Sequence, residues 1–299
     1  MYVWANCQRT YNSLTLQSTF TDVAESSPAA VRAKFRVVFL NATACYLVAY
    51  QLVVFAYQAS TALVARRLGV PGIWNLNGIH FELGDSSWGR NMVLEVYGAG
   101  PTLTLGLGLL ALGWFGKRQR HRRGLAKLLL LWVAFHAFNT VFAGLLADTV
   151  TQSGSWYVPN WLLGGGGTWP SMVLGLLLAA LQVALGFVAA TPFLLSQDSH
   201  TVLQFERRPQ LVRATIVGPW LAGSFILAVS RLPYLSINEG LHYATMALLL
   251  VPLALGCLQE SFNQKKWTPS PTRMSWGLLA LAGLALLAWR VALSAGIRI

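Results

Sequence analysis

The sequence predicts an all-α integral membrane protein with about seven transmembrane helices and a short β-hairpin between the first two. Of its 299 residues, 55% are hydrophobic and 11% are charged, against about 45–50% and about 25% in soluble domains. Seven apolar runs approach the roughly 20 residues that a helix needs to cross a bilayer. Segments such as 103–112 and 278–287 are apolar on every face, unlike the alternating strands of a membrane β-barrel. This composition excludes a water-soluble globular enzyme.

The first element is a polar arm over residues 1–34, which carries Asp22, Glu25 and Pro28. It has no apolar segment of the kind that signal peptides contain, so we expect a loose or interfacial arm and no cleavable signal. The seven apolar runs, spans one to seven, follow at 37–63, 92–115, 125–147, 171–195, 214–232, 241–258 and 276–293.

Small residues and prolines predict the shapes of three spans. Gly98, Gly100, Gly106 and Gly108 predict close helix packing for span two, because small residues let backbones approach in lipid. Gly218-Pro219 and Pro252 predict kinks in spans five and six, since proline cannot donate a helix hydrogen bond.

The connection 149–170 is rich in tryptophan and glycine. It contains Trp156, Tyr157, Trp161, Trp169 and Gly164–Gly167. Indole and phenol rings prefer the headgroup region, so we predict an interfacial loop, with a ligand-binding lid as the alternative. Residues 171–299 then form a four-helix C-terminal membrane region.

The basic residues predict the orientation. If the seven spans alternate in direction, sixteen of the 22 Lys and Arg lie on the same side of the membrane as the N-terminus. The six on the opposite side are Arg66, Arg67, Arg90, Arg231, Arg290 and Arg298. This split predicts a cytoplasmic N-terminus and an external C-terminus. An even number of spans would result if span five or seven were interfacial. The Ala/Leu/Gly-rich composition favours a bacterial plasma membrane.

Span one and its surroundings resemble the site-2 protease family of intramembrane zinc metalloproteases. In active members an apolar run leads into His-Glu-x-x-His, then a small residue, Ala and Arg, and then Gly. In this chain the five motif positions are Tyr57-Gln58-Ala59-Ser60-Thr61. The residues that follow the motif in the family are matched by Ala62, Ala65, Arg66 and Gly69.

The resemblance continues over about residues 35–148. Residues 72–88 look like the family's short β-hairpin, and Ala99-Gly100-Pro101 is similar to its Ala-Gly-Pro-x-x-Asn opening of the next helix. Phe138-Asn139 and Asp148 stand where the family has Asn-x-x-Pro and a zinc-binding Asp. The resemblance implies a three-helix core with a hairpin. It also implies the opposite orientation for the end of span one.

The residues at the three key motif positions cannot bind zinc and activate water as the family's residues do. A zinc protease site needs imidazoles at i and i+4 and a carboxylate base between them, whereas this chain has Tyr57, Gln58 and Thr61. Thr104 replaces the family's Asn, and Asn139 to Asp148 is nine residues where the family has about eight. The resemblance therefore implies a proteolytically inactive member with no expected cofactor.

The alternative to an inactive member is an active protease whose zinc ligands lie at other positions of the chain. His136, Asp148, His80 or Glu82 could hold zinc, with His80 and Glu82 on one face of a strand and Asp85 nearby. The ordinary interpretation of the hairpin group is a solvated loop. Glu239-x-x-His242 has the spacing of a di-iron pair, but those sites need two such pairs and two further Glu, so a helix N-terminal carboxylate is preferred.

Polar residues inside the spans predict a polar core. Glu95 lies about one turn from Arg90, so it can snorkel or pair with that residue. His136 and Asn139 share one helix face, and we expect them to face Gln58 and Thr61 as a network or as a packing contact.

These observations favour a catalytically inactive scaffold, subunit or regulator that binds the lipid bilayer and a transmembrane protein partner. A divergent active metalloprotease and a small-molecule transporter remain the alternatives. Nucleic acid is not expected as a partner, because the basic run 117–123 borders a span and suits anionic headgroups. Three dispersed cysteines, Cys7, Cys45 and Cys257, predict no disulfide framework.

Overall fold

The computed structural model describes residues 27–119, 122–164, 167–259 and 272–299. The structure is 80% helical with one small three-stranded sheet. In this part of the chain seven helices are long and apolar enough to span a membrane, which confirms the predicted helical class and number. Residues 1–26 of the predicted arm lie outside the described residues.

Short interruptions divide the chain into thirteen α-helices over the described ranges. They are α1 (Pro28–Arg67), α2 (Arg90–Trp114), α3 (Ala126–Val141), α4 (Ala143–Thr151), α5 (Tyr157–Leu162), α6 (Thr168–Val188), α7 (Ala190–Ser196), α8 (His200–Leu203), α9 (Arg208–Val212), α10 (Gly218–Arg231), α11 (Ile237–Thr245), α12 (Ala247–Gln259) and α13 (Trp276–Ser294). The strands are β1 (Gly72–Asn75), β2 (Gly78–Phe81) and β3 (Ile297–Arg298). Span three comprises α3 and α4, and span six comprises α11 and α12.

Helix α1 begins at Pro28, well before the predicted start at residue 37. The Ser27 side chain accepts a hydrogen bond from the Ala30 backbone N–H, and proline at the first helical position is already set to the helical φ. The helix therefore begins within the predicted arm 1–34, because local capping extends it beyond its apolar run.

Spans one and three form the centre of the bundle. Their most apolar windows are 61% and 72% buried, against 11% for span seven. Tyr46 of α1 packs edge-on against Trp132 of α3, with ring centroids 5.1 Å apart. Helix α2 contacts both central helices. Spans one and three thus occupy the interior, whereas the most apolar window of span two is 28% buried and span seven lies at the periphery.

Two of the four glycines of α2 provide close contacts. A Cβ at Gly100 would lie 2.8 Å from the Tyr57 ring, and one at Gly108 would lie 2.9 Å from the Ala137 Cβ. Gly98 and Gly106 have no neighbour within 4 Å. The close-packing prediction applies to the two glycines that share the inward face of the helix.

The helix interruptions differ in part from the proline-based prediction. A π-helical turn, Arg213–Val217, directly precedes Gly218-Pro219 in span five. Span six is interrupted at Met246, before Pro252. Span three is interrupted at Phe142, where the sequence has no proline.

The predicted hairpin is present and carries a third strand. The strand order is β2-β1-β3, all antiparallel, with Gly72 opposite Phe81 and Ile73 opposite Arg298. Because β1 follows α1 and β3 follows α13, these two helices end at the same end of the bundle. That arrangement fits an odd number of traversals and argues against the even-numbered alternative.

Candidate functional site

A cavity of about 1250 Å³ opens at the end of the bundle that carries the sheet. Span one lines it along one face through Tyr46, Tyr50, Tyr57, Gln58 and Thr61. Fifteen residues at 1.5 Å per residue separate the first and last of these, so the lining face is about 22 Å long. The cavity therefore reaches from the end of the bundle well into its interior.

Several sequence-predicted residues meet at this cavity. The three motif positions of span one line it together with His80, His136, Asn139 and Asp148. Glu82 and Glu95 do not line it, and both are exposed. Helix rotation explains the position of Glu95, because the buried face of α2 follows Val93, Val96 and Gly100. The predicted polar-core position of Glu95 is accordingly wrong, and its predicted partner Arg90 donates to the Leu162 carbonyl instead.

The motif positions make contacts of their own. The Gln58 Oε1 accepts a hydrogen bond of 2.5 Å from the Trp74 indole, which fastens the hairpin to span one. The Thr61 hydroxyl donates to the Tyr57 carbonyl at 3.1 Å. A phenol, an amide and a hydroxyl in these positions do not fit a zinc ion, since zinc favours imidazole, thiolate and carboxylate ligands.

Asp148 is the most fully hydrogen-bonded side chain of the site. Its Oδ2 accepts from the Ser155 backbone N–H at 2.8 Å and the Ser155 hydroxyl at 2.6 Å. Its Oδ1 lies 3.0 Å from the Asn238 amide nitrogen and 2.9 Å from His242 Nε2. The carboxylate is 3% exposed, so these contacts replace its hydration and tie α4 to α11.

Gly154 makes the turn below Asp148 possible. Its φ is +55°, and a Cβ there would lie 2.8 Å from Asp148 Oδ2. Glycine alone adopts this backbone without a steric cost, and it brings the Ser155 N–H onto the carboxylate.

Asn139 joins three spans through a second network. Its amide nitrogen donates to the His242 carbonyl at 3.0 Å, and its Oδ1 accepts from Gln182 Nε2 at 2.9 Å. Gln182 Oε1 accepts from the Ala143 backbone N–H at 3.0 Å. His136 and Asn139 share the cavity with Gln58 and Thr61, but within the described residues no hydrogen bond joins the two pairs. The predicted direct network is therefore replaced by one directed toward spans four and six.

His136 lies deep in the cavity between two tyrosines. Its ring is edge-on to Tyr46 at a centroid distance of 4.4 Å and to Tyr50 at 5.5 Å. The residue is 4% exposed. Within the described chain its Nε2 has no hydrogen-bond partner.

Arg231 and Glu239 form a buried ion pair beside these rings. The Arg231 side chain is 2% exposed and lies over the Tyr50 ring at 5.6 Å from its centroid. The Tyr50 hydroxyl donates to the Tyr243 hydroxyl at 3.3 Å. Of the described atoms, none partners Arg231 Nη2 or Glu239 Oε2.

Sequence reasoning missed the inward positions of Gln182, Arg231 and His242. Gln182 is the only amide within an otherwise apolar run, which is a signal of a buried polar contact. Arg231 and Glu239 flank one short connection with opposite charges. Across 27–119, 122–164, 167–259 and 272–299, no group of three or more His, Cys, Asp or Glu side chains is arranged to hold a metal ion.

No protein-family model matches the chain, and neither do any curated protein or solved structure. The side chains around the cavity form a deep aromatic site with one Arg–Glu ion pair and one contact between a carboxylate and an imidazole, an arrangement suited to binding polar groups away from bulk water.

Proposed function

We propose that this chain is a multi-pass membrane protein that resembles a site-2 protease core, lacks its metal chemistry, and binds a membrane partner as a scaffold, subunit or regulator. One observation carries the proposal. Tyr57, Gln58 and Thr61 face the same cavity as Asp148, whose carboxylate is already occupied by three neighbouring residues.

The chemistry of these side chains supports the inactive role. Water attack on a peptide needs a base that can take a proton from the metal-bound water. Gln58 has no such group, and its amide oxygen is held by Trp74. A metal at Asp148 would have to displace the donors from Asn238 and His242, which would leave buried polar groups without partners.

The membrane setting is supported by the seven apolar helices and by the distribution of basic residues. Exposed large apolar side chains such as Leu110, Phe225 and Leu284 cover the outer faces of the spans, as expected for contact with lipid tails. We propose the bacterial plasma membrane, with the N-terminus in the cytoplasm.

A divergent metalloprotease is the second candidate, favoured by the adjacency of Asp148 and His242 at 2.9 Å. These residues are two potential ligands, and His136 lines the same cavity. Asp148, His242 and His136 do not reproduce the paired imidazoles that the family motif places at i and i+4 of one helix.

The deciding experiment is elemental mass spectrometry on the purified chain, prepared without chelator, beside a His136→Ala variant. We expect no stoichiometric metal in either protein and no cleavage of a reconstituted transmembrane substrate. One zinc per chain that disappears in the variant would overturn the inactive role. Cleavage that stops when Tyr57 or Gln58 is altered would do the same.

A further inference from the structure

In the described part of the chain, three buried polar atoms without partners belong to residues that line the cavity. They are His136 Nε2, Arg231 Nη2 and Glu239 Oε2, and all three residues line the cavity. We call this region the cavity floor and define it by Tyr46, Tyr50, His136, Arg231, Glu239 and Tyr243. A buried polar atom without a partner is costly, so an occupant that supplies partners is favoured there.

From this floor we infer that the cavity binds a neutral, hydroxyl-rich small molecule of the saccharide class. The inference goes beyond the proposed scaffold role, and either can fail without the other.

Charge balance argues for a neutral ligand. Arg231 and Glu239 neutralise each other. An ionic ligand would bring an uncompensated charge into a site where charges are poorly solvated. A neutral ligand avoids that penalty.

Hydroxyl groups match the unpartnered atoms. The guanidinium Nη2 can only donate, the carboxylate Oε2 can only accept, and an imidazole nitrogen does one or the other. A hydroxyl both donates and accepts, so a ring with neighbouring hydroxyls can serve all three atoms. A purely apolar ligand would leave each of them unsatisfied.

The aromatic walls fit the apolar faces of a sugar ring. Tyr46, Tyr50 and Tyr243 belong to the floor, and Tyr57 also lines the cavity. The negative face of an aromatic ring attracts polarised C–H groups. One ligand can therefore place its C–H groups against the tyrosine rings and its hydroxyl groups against Arg231, Glu239 and His136.

The mouth and the size of the cavity fit entry from water. Asn77, His80 and Asp85 line the mouth and are exposed. The volume of about 1250 Å³ exceeds the roughly 300–1000 Å³ usual for small-ligand sites. A monosaccharide or disaccharide therefore fits with some of its hydration water.

Ligand-observed NMR on the full chain in lipid nanodiscs tests the inference, after purification in a detergent without a sugar head. The probes are glucose, glucosamine and glucuronate, which share one ring and differ in charge. We expect saturable millimolar binding of glucose and at least tenfold weaker binding of both charged sugars. No saturable signal from glucose, or equal binding of a charged sugar, would overturn the inference.

His136→Phe tests the floor, because it keeps an aromatic ring between the tyrosines and removes the nitrogen. We expect it to weaken glucose binding at least tenfold. The matched control is Thr104→Val, which removes a fully buried hydroxyl outside the cavity lining that has no partner among the described residues, and it should leave binding unchanged. Unchanged binding in His136→Phe contradicts the assignment. If that variant does not fold, the comparison of the three sugars on the unaltered chain still decides. Metal content bears on the inactive role alone, so the two proposals fail separately.

Discussion

Asp148 shows how a single carboxylate can be stabilised inside an apolar bundle. Both of its oxygens are used, one by Ser155 and the other by Asn238 and His242. Charge-assisted hydrogen bonds of this kind are roughly twice as strong as neutral ones. The residue that the family resemblance assigns to zinc thus has a structural role in this fold.

Asp148→Asn is expected to destabilise the protein by about 3 kcal/mol, because the new amide nitrogen would face hydrogen-bond donors. Thermal unfolding in nanodiscs measures the effect. Glu82→Gln is the matched control on an exposed carboxylate, where a change within about 0.5 kcal/mol is expected. Equal effects of the two substitutions would contradict the role of Asp148.

Single positions were predictable where the residue type restricts its surroundings. His136 and Asn139 are polar residues in an apolar run, so an interior position followed from the cost of exposing them to lipid. Glu95 satisfies the same rule in sequence but is exposed on α2. The rotation of a helix about its axis depends on its neighbours, and the sequence of α2 does not specify it.

At the scale of elements, the interruption of span three depends on a side chain from another span. Ala143 follows the break, and its backbone N–H donates to Gln182 Oε1 of α6. Insertion of a side chain into the helix hydrogen-bond ladder is a known cause of bends. Proline-based reasoning finds only bends that are encoded locally, so it missed this one.

Gln182→Leu is expected to cost about 1–3 kcal/mol, because it leaves the Ala143 N–H and one bond of Asn139 unmatched in the interior. Thermal unfolding is again the measurement. Gln51→Leu makes the same change at a buried amide whose Oε1 has no partner in the described chain, and it should be neutral or stabilising. A larger loss in Gln51→Leu than in Gln182→Leu would contradict the bridging role.

At the scale of the whole molecule, the sheet fixes which ends of the spans lie together. The cavity mouth, the hairpin and β3 share one end of the bundle. Among the described basic residues, Lys127, Arg208 and Arg231 are buried and so are not topology signals. Without these three, fourteen basic residues lie on the side of the N-terminus and five on the opposite side. This distribution still favours a cytoplasmic N-terminus.

Cysteine labelling tests this orientation on a background with Cys7, Cys45 and Cys257 replaced by serine. We expect Asn77→Cys and Ile237→Cys to react with a membrane-impermeant maleimide on intact cells, because both positions are exposed at the mouth end. Lys117→Cys, at the other end of span two, should react only after permeabilisation. The reverse pattern would establish the orientation that the family resemblance implies.

The sequence by itself determined the helical class of the protein, the number of apolar helices and the hairpin. These depend on local properties, namely run length, residue polarity and turn residues. Only the tertiary structure decided the partners of Asp148, the burial of Arg231 with Glu239, the break at Phe142 and the pairing of β3 with β1. Each of these joins residues far apart in the chain, and such contacts depend on how helices are rotated and packed against one another.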